Sequence, residues 1–242
     1  VNDKNGSTAA DLLASSWREQ TSPTDLSHDA ISSIMPVITS TGASGLAHQR
    51  VKHAAHLKES EVVSTLKQQA RETALRSAMQ AVAIESVSGL LAENGIRSLF
   101  FKGAAAAHYY AVPECRPVGD IDFLVHPEQE AEAQSVISRH HQNQLPADDG
   151  ADKITGSSKW PFPAQVSSFD IHSDLGKFDL QPVSAVFDRS TTIEVGNTTI
   201  AIPCPEDHLR LLCLHYLIHG GWRSIWLCDV AALLEARGAD FD

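Results

Sequence analysis

The chain reads as an α+β protein in which a mixed β-sheet core is flanked by an N-terminal helical region and by C-terminal helices. Three observations predict this class. Apolar residues recur at helical spacing through residues 9–95, short β-rich and helical runs alternate after residue 96, and helical spacing returns after residue 204. The expected division is therefore 1–95 helical, 96–203 α/β core and 204–242 helical.

Residues 1–8 are polar with Gly and Ser and are expected to form a frayed end. Leu12, Leu13 and Trp17, then Ile31, Ile34, Met35 and Ile38, mark two amphipathic helices. Residues 59–94 are Ala-rich, as a long helix requires, and the Asn94-Gly95 pair supplies its stop. A short β-rich run follows at 98–101, a helix at 104–111 and a strand at 120–125. Pro127 opens a helix reaching to about residue 140. Residues 142–159 are polar, with Pro and Gly, and read as a mobile loop. Strands are expected at 165–172, 191–195 and 198–202, the last two joined across Gly196-Asn197 as a hairpin.

Composition bounds the function. The 242 residues are long enough to bury a sizeable core, with 43% hydrophobic and 20% charged residues, which excludes wholesale disorder. Nineteen Lys and Arg stand against 30 Asp and Glu, a formal charge of −11 that opposes binding to a phosphate backbone over most of the surface. A nucleic-acid partner is thus open but not favoured. Arg50, Lys52, Lys58, Lys67, Arg71 and Arg76 form a basic run, read as the solvated face of helices. The cysteines Cys115, Cys204, Cys213 and Cys228 make no CxxC pair. No apolar run is long enough for a membrane span, so a cytoplasmic location is expected. The first residue is Val, and the last follows closely on a helical segment, so the sequence reads as a possible piece of a longer chain.

The chemistry centres on Asp120-Ile121-Asp122. One intervening residue on a strand projects both carboxylates from one face, while Ile121, Phe123 and Val125 take the other. Two carboxylates so placed suit a divalent cation with hard oxygen ligands, Mg²⁺ or Mn²⁺; the bland alternative is a solvated strand end. Ahead of them, Phe101-Lys102-Gly103 opens into a helix whose first N–H groups offer a phosphate cradle, with Lys102 adding charge. Arg116 is a candidate for gripping a triphosphate through its guanidinium fork, or for a surface ion pair. Asp170, on a second strand, completes a three-carboxylate site if its strand pairs beside that of Asp120. His172 shares its face, placed to orient the metal ligands or meet the acceptor. His215 and His219 stand one helical turn apart without a third ligand and are expected to pack, as are Trp222 and Trp226. His48, His53 and His56 are expected at the surface.

With Phe-Phe-Lys-Gly at 100–103, Arg116, the D-I-D strand, Phe-Asp-Ile-His at 169–172 and Pro-Glu-Asp-His at 205–208, the chain resembles the uncharacterised nucleotidyltransferase family of the DNA polymerase β-like superfamily. The late His-Gly-Gly-Trp and Trp-Leu-Cys-Asp segments at 219–222 and 226–229 are similar to the same family's helical C-terminal region. The resemblance covers about residue 81 to the end and, more weakly, the helical N-terminal part. It implies a nucleotidyltransferase-like core in which Asp120, Asp122 and Asp170 hold Mg²⁺ or Mn²⁺ and carry catalysis. Lys102, Gly103, Arg116 and His172 would bind the nucleotide. The implied substrate is a nucleoside triphosphate, with ATP binding among the expectations, and the acceptor is a small molecule, a protein side chain or an RNA end. The competing function is a binding module that keeps the fold without turnover.

Overall fold

The computed structural model describes residues 3–144, 160–161, 168–175, 181–237 and 241, with side chains left aside at 3, 4, 141–144, 160 and 161. They divide into two compact units. One holds Val1–Ser77, Ala106–Val118 and Leu212–Asp242; the other holds Ala78–Ala105 and Gly119–Leu211.

The first unit is helical. Helix α1 spans Asp3–Leu13, so residues 3–8 of the end expected to fray are helical, and Ala9, Leu12 and Leu13 are buried. Helix α2, His28–Ser40, starts where Ser27 Oγ accepts from the Ala30 N–H at 3.2 Å, and it buries Ile31, Ile34 and Ile38. Helix α3 is Ser44–Val51. Helix α4, Glu61–Glu93, belongs to this unit with its first half and helix α8, Pro205–Ile218, with its second, and helix α9, Ser224–Ala236, completes it. One apolar cluster joins Leu12, Ile34, Leu46, Leu66, Tyr110 and Trp226. Trp17 and Arg18 both donate to Glu235, 218 and 217 positions away, tying the first helices to the last.

The second unit carries the sheet. Its strands are β1, Ser98–Phe100; β2, Ile121–Val125; β3, Trp160–Pro161; β4, Ser168–His172; β5, Thr191–Val195; and β6, Thr198–Ile202. Among the described residues the order is β3-β4-β2-β1-β6-β5. The sheet is mixed: β2 runs parallel to β4 and β1 to β6, and the other pairs are antiparallel. The expected hairpin is present, with Val195 opposite Thr198 and φ +60° at Gly196, the first loop position, as a two-residue II′ turn requires. Helix α4 ends as expected: the Ile96 N–H reaches Leu91 O at 2.9 Å across Gly95, whose φ is +70°.

Alternation along the strands gives the sheet two different faces. Phe100, Ile121, Phe123, Phe169 and Ile171 pack with Ile84, Val87 and Leu91 of α4 and with Val136 and Ile137 of helix α6, Glu130–Gln144. Leu99, Phe101 and Leu124 face the other way, onto Leu211 and onto Val186 and Phe187 of helix α7, Val183–Asp188, a helix absent from the sequence reading. The helix expected at 104–111 is only α5, Ala104–Ala107. The chain leaves it as Tyr110 enters the first unit's core, where its hydroxyl donates to Asp229 at 2.7 Å. Apart from residues 142–144, which belong to α6, the loop expected at 142–159 lies outside the described residues. So do positions 165–167 of the strand expected at 165–172.

Candidate metal centre

Strand pairing sets the site. Beta strands β2 and β4 run parallel with Ile121 opposite Phe169 and Asp122 opposite Asp170. Residues opposite each other share a face, so the register that buries Ile121 and Phe169 turns both carboxylates the other way. His172, two residues beyond Asp170, joins them. One ligand atom from each of Asp122, Asp170 and His172 lies within 4.8 Å of the other two.

Asp122 is the most enclosed of the three, its side chain 10% exposed. Its Oδ1 accepts from Lys102 Nζ at 2.6 Å and lies 3.2 Å from His172 Nε2, which is also 3.5 Å from Asp170 Oδ2. Burial disfavours the charged carboxylate, but hydrogen bonds and charge from His172 and Lys102 outweigh it and hold the Asp122 carboxyl below its usual value. Asp122 draws on both Lys102 and His172, while Asp170 has His172 as its near basic neighbour. Lys102 is thus a cation already drawn to the oxygen a metal would use.

Lys102 is held in place by its neighbours. His208, fully buried, donates from Nε2 to the Phe101 carbonyl at 2.9 Å, while the Phe101 ring meets the His172 ring edge-on at 5.1 Å. Gly103 follows at φ +49°, a conformation that side chains with a Cβ resist, and Gln80 Nε2 donates to the Gly119 carbonyl just ahead of Asp120. The sequence reading noted Pro205 to His208 without assigning His208 this role.

Three expectations change. Asp120 precedes β2 and is outside the clustered set; its Oδ1 instead accepts from Ser168 Oγ at 2.5 Å, the position ahead of the Ile121–Phe169 pair. His172 stands in the cluster where Asp120 was expected. The phosphate cradle loses its helix, because four residues in α5 give little aligned dipole. Arg116 belongs to the helical unit, 8% exposed, where Nε and Nη2 donate to the two Asp229 oxygens at 3.0 and 2.8 Å and Nη1 to the Pro117 carbonyl. Its fork is committed to a carboxylate of the chain itself.

The other histidines behave more quietly. His215 and His219 contact each other and the Trp226 ring, at centroid distances of 4.5, 4.8 and 5.5 Å, as packing groups do. Arg50, read as part of a solvated face, instead donates to Ser15 Oγ and to the Ser22 carbonyl within the helical unit. No helix among the described residues is long and apolar enough to cross a membrane.

The donor set fits a divalent cation. Two adjacent carboxylates supply the oxygens Mg²⁺ requires, and an imidazole nitrogen widens the match to Mn²⁺ and other transition ions.

The sheet thus carries an Asp-x-Asp segment at the start of β2, paired in parallel with the strand that bears Asp170. The model of the family described as "Uncharacterised nucleotidyltransferase" matches residues 27–242, and the chain belongs to that family. Membership supports nucleotidyl transfer as the broad activity. Among solved structures, an antigenic nucleotidyltransferase-like protein from Paracoccidioides brasiliensis is similar at 16% identity and TM-score 0.40, over 68% of this chain and 76% of its own. No curated protein matches in sequence.

Proposed function

We propose that this protein transfers a nucleoside monophosphate from a nucleoside triphosphate to an acceptor hydroxyl, with Asp122 and Asp170 holding Mg²⁺ or Mn²⁺. The observation that carries the reading is the convergence of Asp122, Asp170 and His172 on paired strands, in a chain of this family. A bound cation would withdraw charge from the α-phosphate and neutralise the leaving pyrophosphate. Asp120, immediately ahead of the same strand and bonded to Ser168 Oγ, is assigned as the third carboxylate in this reading.

The remaining roles fall to the chain's own groups. Lys102, relieved of Asp122 when a cation arrives, can turn its ammonium to phosphate oxygens. Gly103 lets the backbone approach the phosphates without a side chain between. His172 fixes the Asp122 and Asp170 oxygens by its ring nitrogen, and Asp170, the more exposed carboxylate at 30%, is the group to accept the acceptor hydroxyl's proton. The acidic surface favours a small molecule or a protein side chain over RNA as acceptor.

The test incubates wild type and Asp122→Asn with each α-labelled triphosphate, Mg²⁺ or Mn²⁺, and a cell extract fractionated into small molecules, protein and RNA. Label should move to one fraction with wild type alone. Thermal stabilisation by cation plus triphosphate should be present in wild type and shrink in the variant. Wild-type transfer by Asp122→Asn would overturn the site, and absence of both transfer and stabilisation in wild type would leave a binding module without turnover.

A further inference from the structure

A second chemically uneven site lies in the helical unit and has no part in the proposed transfer. A cavity of about 300 Å³ is lined by Arg76 and Arg223, and among the described residues neither guanidinium has a carboxylate within ion-pair distance. In a chain of net charge −11, two such cations on one cavity call for a partner.

Arg223 is deliberately seated. Its Nε donates to the Thr41 carbonyl at 3.3 Å, and its guanidinium carbon lies 5.5 and 5.8 Å from the Trp222 and Trp226 ring centroids. Gly42 makes the room: at φ +77°, any Cβ there would also come within 3.0 Å of Arg223 Nη2. Burial, and then the charge of Arg116, disfavour the Arg223 cation and Asp229 offsets them only in part, so an arriving anion would stabilise it. Arg76 is exposed on α4 and free to close on the same anion.

The rest of the wall offers acceptors. Gln69 Oε1 is enclosed and without a hydrogen-bond partner. The Ser40 and Thr73 hydroxyls already donate to the Val37 and Gln69 carbonyls, which leaves their oxygens to accept, and Glu72 adds a carboxylate. One end therefore attracts negative charge, and the remainder takes hydroxyl protons. Two guanidiniums match a phosphomonoester, with nearly two negative charges at neutral pH, better than a carboxylate with one. The volume sits at the low end of ligand pockets, roughly 300–1,000 Å³.

We infer that this cavity binds a small phosphorylated polyol, of the size of a monosaccharide phosphate, with the phosphate on Arg223 and Arg76 and the hydroxyls on Gln69, Ser40 and Thr73. The inference does not depend on nucleotidyl transfer.

Isothermal titration of the full chain with glucose 6-phosphate and glycerol 3-phosphate tests it, against glucose and inorganic phosphate as half-ligands. At least one sugar or polyol phosphate should bind saturably, about tenfold or more tighter than either half-ligand. Arg76→Gln, an exposed substitution that leaves the fold alone, should weaken it about tenfold or more, the worth of one charge-assisted contact. Arg223→Lys should weaken it similarly while keeping the charge, and Asp122→Asn should bind as wild type does. Absence of saturable binding, undiminished affinity in Arg76→Gln, or loss of binding in Asp122→Asn would each overturn the assignment, the last by putting the phosphate at the carboxylate site.

Discussion

Asp229→Ala should cost about 3–5 kcal/mol of folding stability, the range for breaking a buried ion pair by removing one partner. Asp229 is fully buried and accepts three hydrogen bonds: Arg116 Nε at 3.0 Å, Arg116 Nη2 at 2.8 Å and Tyr110 Oη at 2.7 Å. Truncation leaves a guanidinium that is 9% exposed without its counter-charge, and strands a phenol whose ionisation burial and Asp229 already oppose. Three charge-assisted bonds at about 1.5–3 kcal/mol each would sum higher, but water entering the vacated space recovers part of the loss. Urea denaturation reads the effect: with a slope of about 2 kcal/mol per molar, the midpoint should fall by roughly 2 M. The double variant Arg116→Met with Asp229→Leu should recover part of that fall, because it removes both charges and refills the volume while Tyr110 Oη still loses its acceptor. A midpoint shift below about 0.5 M for Asp229→Ala, with unchanged slope, would refute the clamp and return Arg116 to the candidates for phosphate binding.

Three further expectations come from the helical unit. Gly45→Ala should destabilise by about 1–3 kcal/mol, because its Cβ would stand 2.3 Å from the Cys115 carbonyl oxygen, a rigid backbone neighbour; an unchanged melting temperature would show that the two segments part freely. Burial, then the charges of Lys52, Lys67, His53 and Arg71, push the half-buried His48 below its ordinary value of 6.5. As pH falls through 6.5 the unfolded chain therefore takes its proton first, and stability declines until the folded pKa is passed. His48→Gln should flatten that part of a stability-against-pH curve, and an unaltered slope would count against the burial. Burial, then Asp229, push the Cys228 thiol up to about 12, so iodoacetamide at pH 8 should label it only after denaturant is added, as peptide mass mapping would show.

Local pattern carried much of the architecture. The Ala-rich stretch before Asn94-Gly95 is one 33-residue helix, the Gly196-Asn197 pair closes its hairpin, and alternation alone assigns Ile121 and Phe123 to the core side of β2. These features depend on residues within a few positions of one another. Helix α7 escaped because six residues are too few for apolar periodicity to declare itself, and its burial comes from Leu99 and Leu124 on distant strands. The stop of α5 at Ala107 is likewise tied to Tyr110, whose partner Asp229 lies 119 positions away. Arg116 was legible as a loop guanidinium near the D-I-D strand, but its partner, 113 positions on, was not.

The carboxylates show where local reasoning reaches its limit. Alternation places Asp120 and Asp122 on one face of a strand and Asp170 on one face of another, but how far one strand slides along the other is set by which apolar residues pair. Here Ile121 meets Phe169, so Asp122 falls beside Asp170 and Asp120 falls one position before the first pair, where Ser168, 48 positions away, takes its oxygen. A slide of two residues would preserve every apolar residue's face and instead set Asp120 beside Asp170. The membership of the cluster therefore follows from the strand register, and in that register Phe169 lies beside Phe123, ring centroids 6.4 Å apart, on the side of the sheet away from the carboxylates. The register of β2 on β4 positions the proposed cation site as directly as the aspartates themselves.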